Sequence, residues 1–358
     1  MEEELLLAIN PGSTTTKIAV FRNTREVFLK TLKHSCEDIE KFEKITDQYE
    51  FRRDIILKEL EGADINIENI QVVVGRGGLV KPIKSGVYEM NDALIKDLKI
   101  GVLGQHASNL GGLIAHNIAQ SLPNARAFIA DPVVVDELED IARISGHPEI
   151  ERISIFHALN QKAIARQHAR AVAQTYEGLN LIVAHLGGGI SVGAHYKGRV
   201  IDVNQALDGD GPFSPERSGG LPVGALVKLC FSGKYTEKQI KKMITGRGGL
   251  VAYLGTNDAY EVEKRALSGD EKAKLIYDAM AYQVAKEIGA MSTVLKGDVD
   301  AILLTGGIAY GKPFVENLTE RIRHISPVYV YPGEDEMRAL AMNGLMVLKG
   351  ETEPLVYE

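Results

Sequence analysis

Two stretches of this chain share one grammar, and that shared grammar limits the fold more than any other feature. Leu5 to Phe21 reads as an apolar strand, a small polar tip (Asn10-Pro11-Gly12-Ser13-Thr14-Thr15-Thr16) and a second strand. Leu181 to His195 repeats that order, with Gly187-Gly188-Gly189 as the tip before the strand Ile190 to Ala194. Each hairpin is followed by another strand-like stretch, near Glu26 to Leu32 and near Arg199 to Val203. An internal repeat of this kind predicts a duplicated α/β domain with a cleft between the copies. Further buried strands are expected at Gln71 to Gly75, Ala125 to Ala130 and Ala301 to Thr305. Helices are expected at about Leu159 to Tyr176, Glu271 to Leu295 and Glu334 to Leu348. In the second of these, Ile276, Met280, Val284, Ile288 and Met291 recur at helical spacing, which marks core residues.

The chain has 358 residues, enough for two domains of ordinary size. Its net charge of −7 argues against a nucleic-acid partner, which would favour a basic excess. An acidic chain can still hold a local basic pocket for an anion. Cys36 and Cys230 have no metal-like spacing and read as two reduced thiols of a cytosolic protein. The opening Met1-Glu2-Glu3-Glu4 lacks the basic start of a secretory signal, and no apolar run approaches membrane-spanning length. A soluble, cytoplasmic protein is expected.

The two tips are the first candidates for chemistry. Small residues let backbone N–H groups converge on one point and bind phosphate oxygens. Ser13, Thr14, Thr15 and Thr16 add hydroxyls, Lys17 adds a cation, and Gly187 to Gly189 offer the same backbone geometry from the other half. A third glycine turn, Thr305-Gly306-Gly307-Ile308, directly follows a strand and could approach a nucleotide. Either tip alone is also what an ordinary glycine turn looks like; the matched pair is what points to a ligand. There is no Gly-x-x-x-x-Gly-Lys-Ser/Thr, and Gly75-Arg76-Gly77-Gly78 fails the dinucleotide spacing.

Several charged or ionisable residues sit in strand-end or glycine-rich settings. Arg76 lies between two glycines, Asp131 ends a strand, and His157 follows Phe156 at the start of a helix. His185 precedes the triple glycine, and Arg217 lies in Ser214 to Gly220. Singly, each has a structural explanation: a solvated arginine, a cap, a histidine satisfied in a sheet. Together they suit transfer of a phosphoryl group to an anion. That transfer has a loose transition state and needs positioning and neutralisation more than covalent help. A carboxylate acceptor is already ionised and needs no base; two guanidinium forks match carboxylate and phosphate oxygens. A sugar acceptor would instead require a carboxylate base, for which Asp131, Asp208 or Asp210 could serve.

These residues resemble the motifs of the acetate and butyrate kinase family. The resemblance rests on Ala8 to Lys17, His185 to Gly189, the Arg217 segment, Phe156-His157, Asp131 and Thr305 to Ile308, in the family's order along nearly the whole chain. It implies the duplicated fold of actin and sugar kinases, related to ribonuclease H, with a nucleotide cleft between domains. The implied domains are 1–150 plus about 335–358, on the acyl and phosphate side, and 151–334, on the nucleotide side. Position by position, it implies that Arg76, Asp131, His157 and Arg217 are catalytic. Asn10, Ser13, Thr15, Lys17, His185, Gly187, Gly189, Gly306 and Gly307 are implied to bind nucleotide or phosphate. Gly78 and Phe156 are implied in the substrate pocket. Asn10 with Asp335, or Glu336 after a one-residue shift, is implied to be linked to Mg²⁺.

The resemblance also implies ATP and ADP as substrates, a short-chain acid as acceptor and a homo-oligomer. Asn10-Pro11-Gly12-Ser13 and Arg76-Gly77-Gly78-Leu79 look more like the butyrate branch than the acetate branch. The expected acceptor is therefore butyrate, with propionate, acetate or a branched acid as the alternative, and a sugar kinase or a non-catalytic ATP clamp behind these. Three features depart from the acetate kinases: Gln161 replaces a second histidine, the loop before Arg217 looks shorter, and Gly77 and Gly78 replace bulky residues. The expectation is that the two glycines leave room for a longer acyl tail.

Overall fold

Both hairpins form, and each becomes the centre of a sheet. The computed structural model describes residues 3–358; Met1 and Glu2 of the acidic opening, and the Cys36 side chain, lie outside the described residues. The chain divides into two compact units, Met1–Val135 with Asp335–Glu358, and Asp136–Glu334.

The first unit carries β1 (Leu5–Pro11), β2 (Thr15–Arg22), β3 (Arg25–Lys33), β4 (Ile70–Arg76), β5 (Val87–Glu89) and β6 (Arg126–Ala130). Their order in the sheet is β3-β2-β1-β4-β6-β5. The first three strands are antiparallel, β1, β4 and β6 run parallel, and β5 runs against β6. The second unit carries β7 (Asn180–Leu186), β8 (Ile190–Tyr196), β9 (Arg199–Val203), β10 (Ala301–Gly306) and β11 (Val328–Pro332). Their order is β11-β10-β7-β8-β9. Again the first three in sequence are antiparallel and the next two run parallel to the first. Strands β3-β2-β1-β4-β6 and β9-β8-β7-β10-β11 therefore have one topology, and the repeat read in the hairpins extends to five strands.

The strand sequences explain their places. β7 is buried at every residue, as a continuous apolar run covered on both faces should be. β3 is exposed along most of its length and carries charges at Arg25, Glu26, Lys30 and Lys33, which suits the edge it occupies. In the first unit, helix Asn109–Gln120 lies so close to β4 that a Cβ at Gly75 would stand 2.1 Å from the Gly111 carbonyl oxygen. Helix Glu336–Leu348 packs on β1 and β4, with Gly344 against Val72 and Val74. In the second unit, helix Glu271–Val294 buries Met280, Val284, Ile288 and Met291, four of the five residues expected there, while Ile276 packs half-buried at its edge. Among the described residues no helix is long and apolar enough to cross a membrane.

Parallel strands in each sheet deliver their carboxyl ends to one edge. Open α/β sheets hold ligands at that edge, because side chains and loops leaving adjacent strands converge there. Asn10, Arg76 and Asp131 leave β1, β4 and β6 at this edge in the first unit. In the second unit His185 and the glycine tip leave β7 beside Gly306 of β10.

Candidate active site

The first tip is held from inside. Gly12 N–H donates to the Thr15 carbonyl at 2.8 Å and closes the turn. Arg52, fully buried on helix Tyr49–Glu61, donates to the carbonyls of Gly12 (2.7 Å), Ser13 (2.8 Å) and Thr15 (2.9 Å). The Thr14 carbonyl accepts from His34 N–H at 2.9 Å. All four tip carbonyls are thus engaged within the unit. The N–H groups of Ser13 and Thr14 donate to no group of the chain among the described residues. Such a tip presents donors and hydroxyls outward, as an anion nest requires. Gln48 accepts from the remaining Arg52 donors at 2.8 and 3.1 Å. Burial lowers the guanidinium to about 10, which leaves it charged at neutral pH. Burial, and after it that charge, lower the neighbouring imidazole of His34 to about 4.

Beside the tip, Asn10, Arg76 and Glu336 form a triangle. Register places Ile9 beside Gly75, so Asn10 and Arg76 leave adjacent parallel strands together. Asn10 Nδ2 donates to Glu336 Oε2. Arg76 Nη1 donates to the same oxygen at 3.1 Å and to Asn10 Oδ1 at 3.3 Å. Lys17 stands opposite Asn10 in the β1–β2 ladder. Asp335 does something else: it is the N-cap of helix Glu336–Leu348 and accepts from Arg338 N–H at 3.0 Å. Of the two acidic residues left open by the sequence, Glu336 is the one that meets Asn10.

Asp131 follows β6 at a backbone φ of +37°, uncommon for a residue with a side chain. It is buried, and its Oδ1 accepts from Ser85 Oγ at 2.6 Å and Gly86 N–H at 2.9 Å. A strained, buried carboxylate one residue beyond the strand next to Arg76 is the kind of outlier that accompanies function.

In the second unit, His157 and His185 stack with ring centroids 4.1 Å apart. His157 Nδ1 lies 2.9 Å from Ser191 Oγ, and His185 Nε2 lies 3.4 Å from Glu334 Oε1. Phe156, next to His157 in sequence, is buried, with 2% of its surface exposed. The glycine tip does its work residue by residue. Gly187 and Gly189 are buried while Gly188 is exposed. A Cβ on Gly189 would stand 2.0 Å from Arg217 Nη1, so the missing side chain is what admits the guanidinium. Ser214 Oγ donates to the Gly188 carbonyl at 2.7 Å, and Arg217 N–H donates to Ser214 Oγ at 3.2 Å, tying the arginine segment to the tip.

Arg217 donates to the Ala206 carbonyl at 2.5 Å and forms no ion pair among the described residues. Burial pushes its guanidinium below the ordinary arginine value, but the charge persists. A half-buried cation held by a neutral carbonyl beside a glycine tip is poised for an incoming anion.

A cavity of about 480 Å³ opens from the same tip and is lined by Gly187, Gly188, Asn257, Tyr260, Gly307 and Glu334, among others. That size suits a small ligand. The two glycines of the third turn divide their roles. Gly306, at φ +92°, is buried, and a Cβ there would stand 2.4 Å from the Leu186 carbonyl oxygen; Gly307 is exposed and lines the cavity. Asn257 and Tyr260 were not legible as site residues, because Asn257-Asp258 before a charged helix reads as a helix cap, which Asp258 also is.

Residues 149–327 match the model described as the Acetokinase family. Over 353 residues, 99% of each chain, the sequence is 59% identical to butyrate kinase 2 of Clostridium acetobutylicum; it is 58% identical over the same share to butyrate kinase 1 of that organism. The chain belongs to the acetokinase family. Its fold is that of the crystal structure of Porphyromonas gingivalis acetate kinase, with a TM-score of 0.79 at 18% identity, covering 96% of this chain and all of that one.

One expectation about this acetokinase chain is corrected. Gly77 and Gly78 leave no space beside them: a Cβ at Gly77 would stand 2.5 Å from Pro132 Cβ, and one at Gly78 would stand 2.3 Å from Asn109 Oδ1. Asn109 is itself buried and receives the Leu79 N–H at 2.8 Å. The glycines admit the strand end to its helix; they do not enlarge a pocket.

Proposed function

We propose that this chain catalyses reversible transfer of the γ-phosphoryl group of ATP to the carboxylate of butyrate, giving butyryl phosphate and ADP. The observation that carries the substrate is the near-full-length identity to two butyrate kinases. The observation that carries the reaction class is the pair of arginines, Arg76 and Arg217, each placed at a strand end or glycine tip suited to an anion.

The carboxylate oxygen forms a bond to the γ-phosphorus as the bond to the β,γ-bridging oxygen breaks, and ADP leaves with that electron pair. No proton changes hands. The task is to hold two anions together, and guanidinium forks do so by bidentate pairing. Arg76 and Arg217 bind the carboxylate and the transferring group. His157 donates to an equatorial oxygen, where charge develops. Ser13, Thr15, Lys17, His185, Gly187 and Gly189 act on phosphate. Gly307 and the Asn257–Tyr260 segment bound the nucleoside side, with Gly306 shaping the turn. Asp131 orders the acyl side through Ser85 and Gly86. Its Oδ1 accepts from these two donors.

Mg²⁺, when bound with ATP, neutralises phosphate oxygens. Asn10 and Glu336 would hold that ion through the Asn10 amide oxygen and the Glu336 carboxylate, the two oxygens that the Arg76 guanidinium joins here. Among the described residues there is no cluster of three or more acidic, histidine or cysteine ligands. One carboxylate plus substrate phosphates is the usual way such an ion is held.

A cytoplasmic homo-oligomer completes the proposal. Helix Val223–Cys230 supports the association alone: none of its residues is buried, and Val223 and Val227 are exposed with the nearby Phe231.

Chain length is tested by kcat/KM for acetate, propionate, butyrate and isobutyrate. Two extra methylenes, each worth about 0.8 kcal/mol when buried, favour butyrate over acetate by roughly ten- to twentyfold. A clear preference for acetate would overturn the butyrate assignment.

A further inference from the structure

Behind His157 runs an unbroken line of hydrogen bonds through the interior of the second unit. Tyr176 Oη lies 2.7 Å from His195 Nδ1, and His195 Nε2 lies 2.9 Å from Gln161 Oε1. Gln161 Nε2 donates to Ser191 Oγ at 2.8 Å and to the Ser191 carbonyl at 3.1 Å. Ser191 Oγ lies 2.9 Å from His157 Nδ1. Gln161, Ser191 and His195 are fully buried and Tyr176 nearly so. The line is built in: a Cβ on Gly193 would stand 2.6 Å from Gln161 Oε1, so the glycine in β8 makes the space that the carboxamide fills.

The direction of the protons from Gln161 to Tyr176 follows from one fixed point. The Ser191 carbonyl can only accept, so the amide nitrogen of Gln161 must face it, and the amide oxygen must face His195. His195 therefore carries its proton on Nε2. Full burial, with Lys162 and Arg166 nearby, pushes its pKa well below the ordinary value and keeps the ring neutral. Nδ1 is then an acceptor, filled by the Tyr176 hydroxyl. At the other end Ser191 Oγ receives the Gln161 amide, and the backbone N–H of His157 approaches its second lone pair at 3.5 Å. Its own hydrogen is left for His157 Nδ1.

We infer that Gln161, acting through Ser191 and anchored by His195 and Tyr176, holds His157 as the neutral tautomer protonated on Nε2. Gln161 and Ser191 are positioning residues. They present a single ring N–H for the transferring phosphoryl group and prevent the ring from turning a lone pair toward it. What that proton is used for rests on the carboxylate-kinase reading; the tautomer does not.

The test is the ¹⁵N spectrum of histidine-labelled full-length protein, with the His157 signals assigned by their loss in His157→Gln. The inference expects a pyridine-like Nδ1 and a pyrrole-like Nε2 in the wild type. In Gln161→Met, which keeps the volume and removes both polar ends, it expects a mixture of tautomers. There kcat should fall roughly 10- to 100-fold, as losses of orienting partners commonly do, with KM for both substrates within about twofold. A wild-type His157 protonated on Nδ1 overturns the inference, even if the variant fails to fold. So does a variant whose tautomer and kcat are unchanged. A wild type with the expected spectrum that forms no acyl phosphate would support the tautomer and remove the kinase reading, so the two failures are distinct.

Discussion

Arg52 Nη2 donates to the carbonyl of Ser13 at 2.8 Å from a side chain with no exposed surface. A buried arginine without a carboxylate is normally costly, because desolvation is not offset by an opposite charge. Here five acceptors surround it, and three of them are carbonyls of one tip. The arginine turns the tip's acceptors inward and leaves its donors outward. Replacing it strands those carbonyls. Arg52→Met should cost about 2–4 kcal/mol of stability and raise KM for ATP, while Arg52→Lys should recover only part of both. Urea unfolding and initial rates check this. An unchanged KM for ATP in a folded Arg52→Met would separate the tip from phosphate binding.

The two neighbouring acids at the start of the last helix should behave differently. Glu336→Gln removes the charge that meets Asn10 and Arg76, and kcat should fall by roughly a hundredfold or more, with a raised Mg²⁺ requirement. Asp335→Ala removes an N-cap, which costs about 1 kcal/mol of stability and should leave kcat within a few-fold. Rates across a Mg²⁺ titration, with thermal unfolding of both variants, tell them apart. The reverse pattern would place the metal-linked carboxylate on Asp335.

Gly78→Ala tests what the glycine is for. Its added methyl meets Asn109 rather than an acyl tail, so it should destabilise by about 1–3 kcal/mol. The ratio of kcat/KM for butyrate and acetate should stay as it is. A strong swing toward acetate with little loss of stability would restore the pocket role.

What the sequence made legible follows from how far apart the informative residues lie. The hairpins at 5–21 and 181–195 announced themselves because strand, tip and strand are contiguous, and the duplicated sheet followed. Asn10, Arg76, Asp131 and His185 stood out because each ends a strand or borders glycine. Arg52 did not: in Tyr49-Glu50-Phe51-Arg52-Arg53-Asp54 it is one charge among several, and nothing local separates the buried arginine from its half-buried neighbour. Gln161 met Ser191 only through folding, 30 residues apart. Gly77 and Gly78 misled because a missing side chain reads as space, and only packing shows that Pro132 and Asn109 already occupy it.

Glu287, on helix Glu271–Val294, gives a pH-dependent stability. Burial, and Asp210 and Asp202 nearby, raise its carboxyl from 4.5 to about 7 against the opposing pull of Arg152 and Lys286. The folded protein then holds a proton that the unfolded chain has released between those values. This contribution is present in full below pH 4.5 and is lost as pH rises through about 7. Glu287→Gln should match the wild type near pH 5 and exceed it near pH 8, by on the order of 1 kcal/mol. Urea unfolding at the two pH values reads the difference. An equal offset at both would contradict the shifted carboxyl.

Transfer of a phosphoryl group to a carboxylate at Arg217 is read by trapping acyl phosphate as the hydroxamate, with Mg-ATP and butyrate, for the wild type and Arg217→Ala. The wild type should give product and the variant should lose roughly a thousandfold or more, as for other arginines that neutralise a transferring phosphoryl group. No product from any short-chain acid, or an Arg217→Ala variant as active as the wild type, would contradict it.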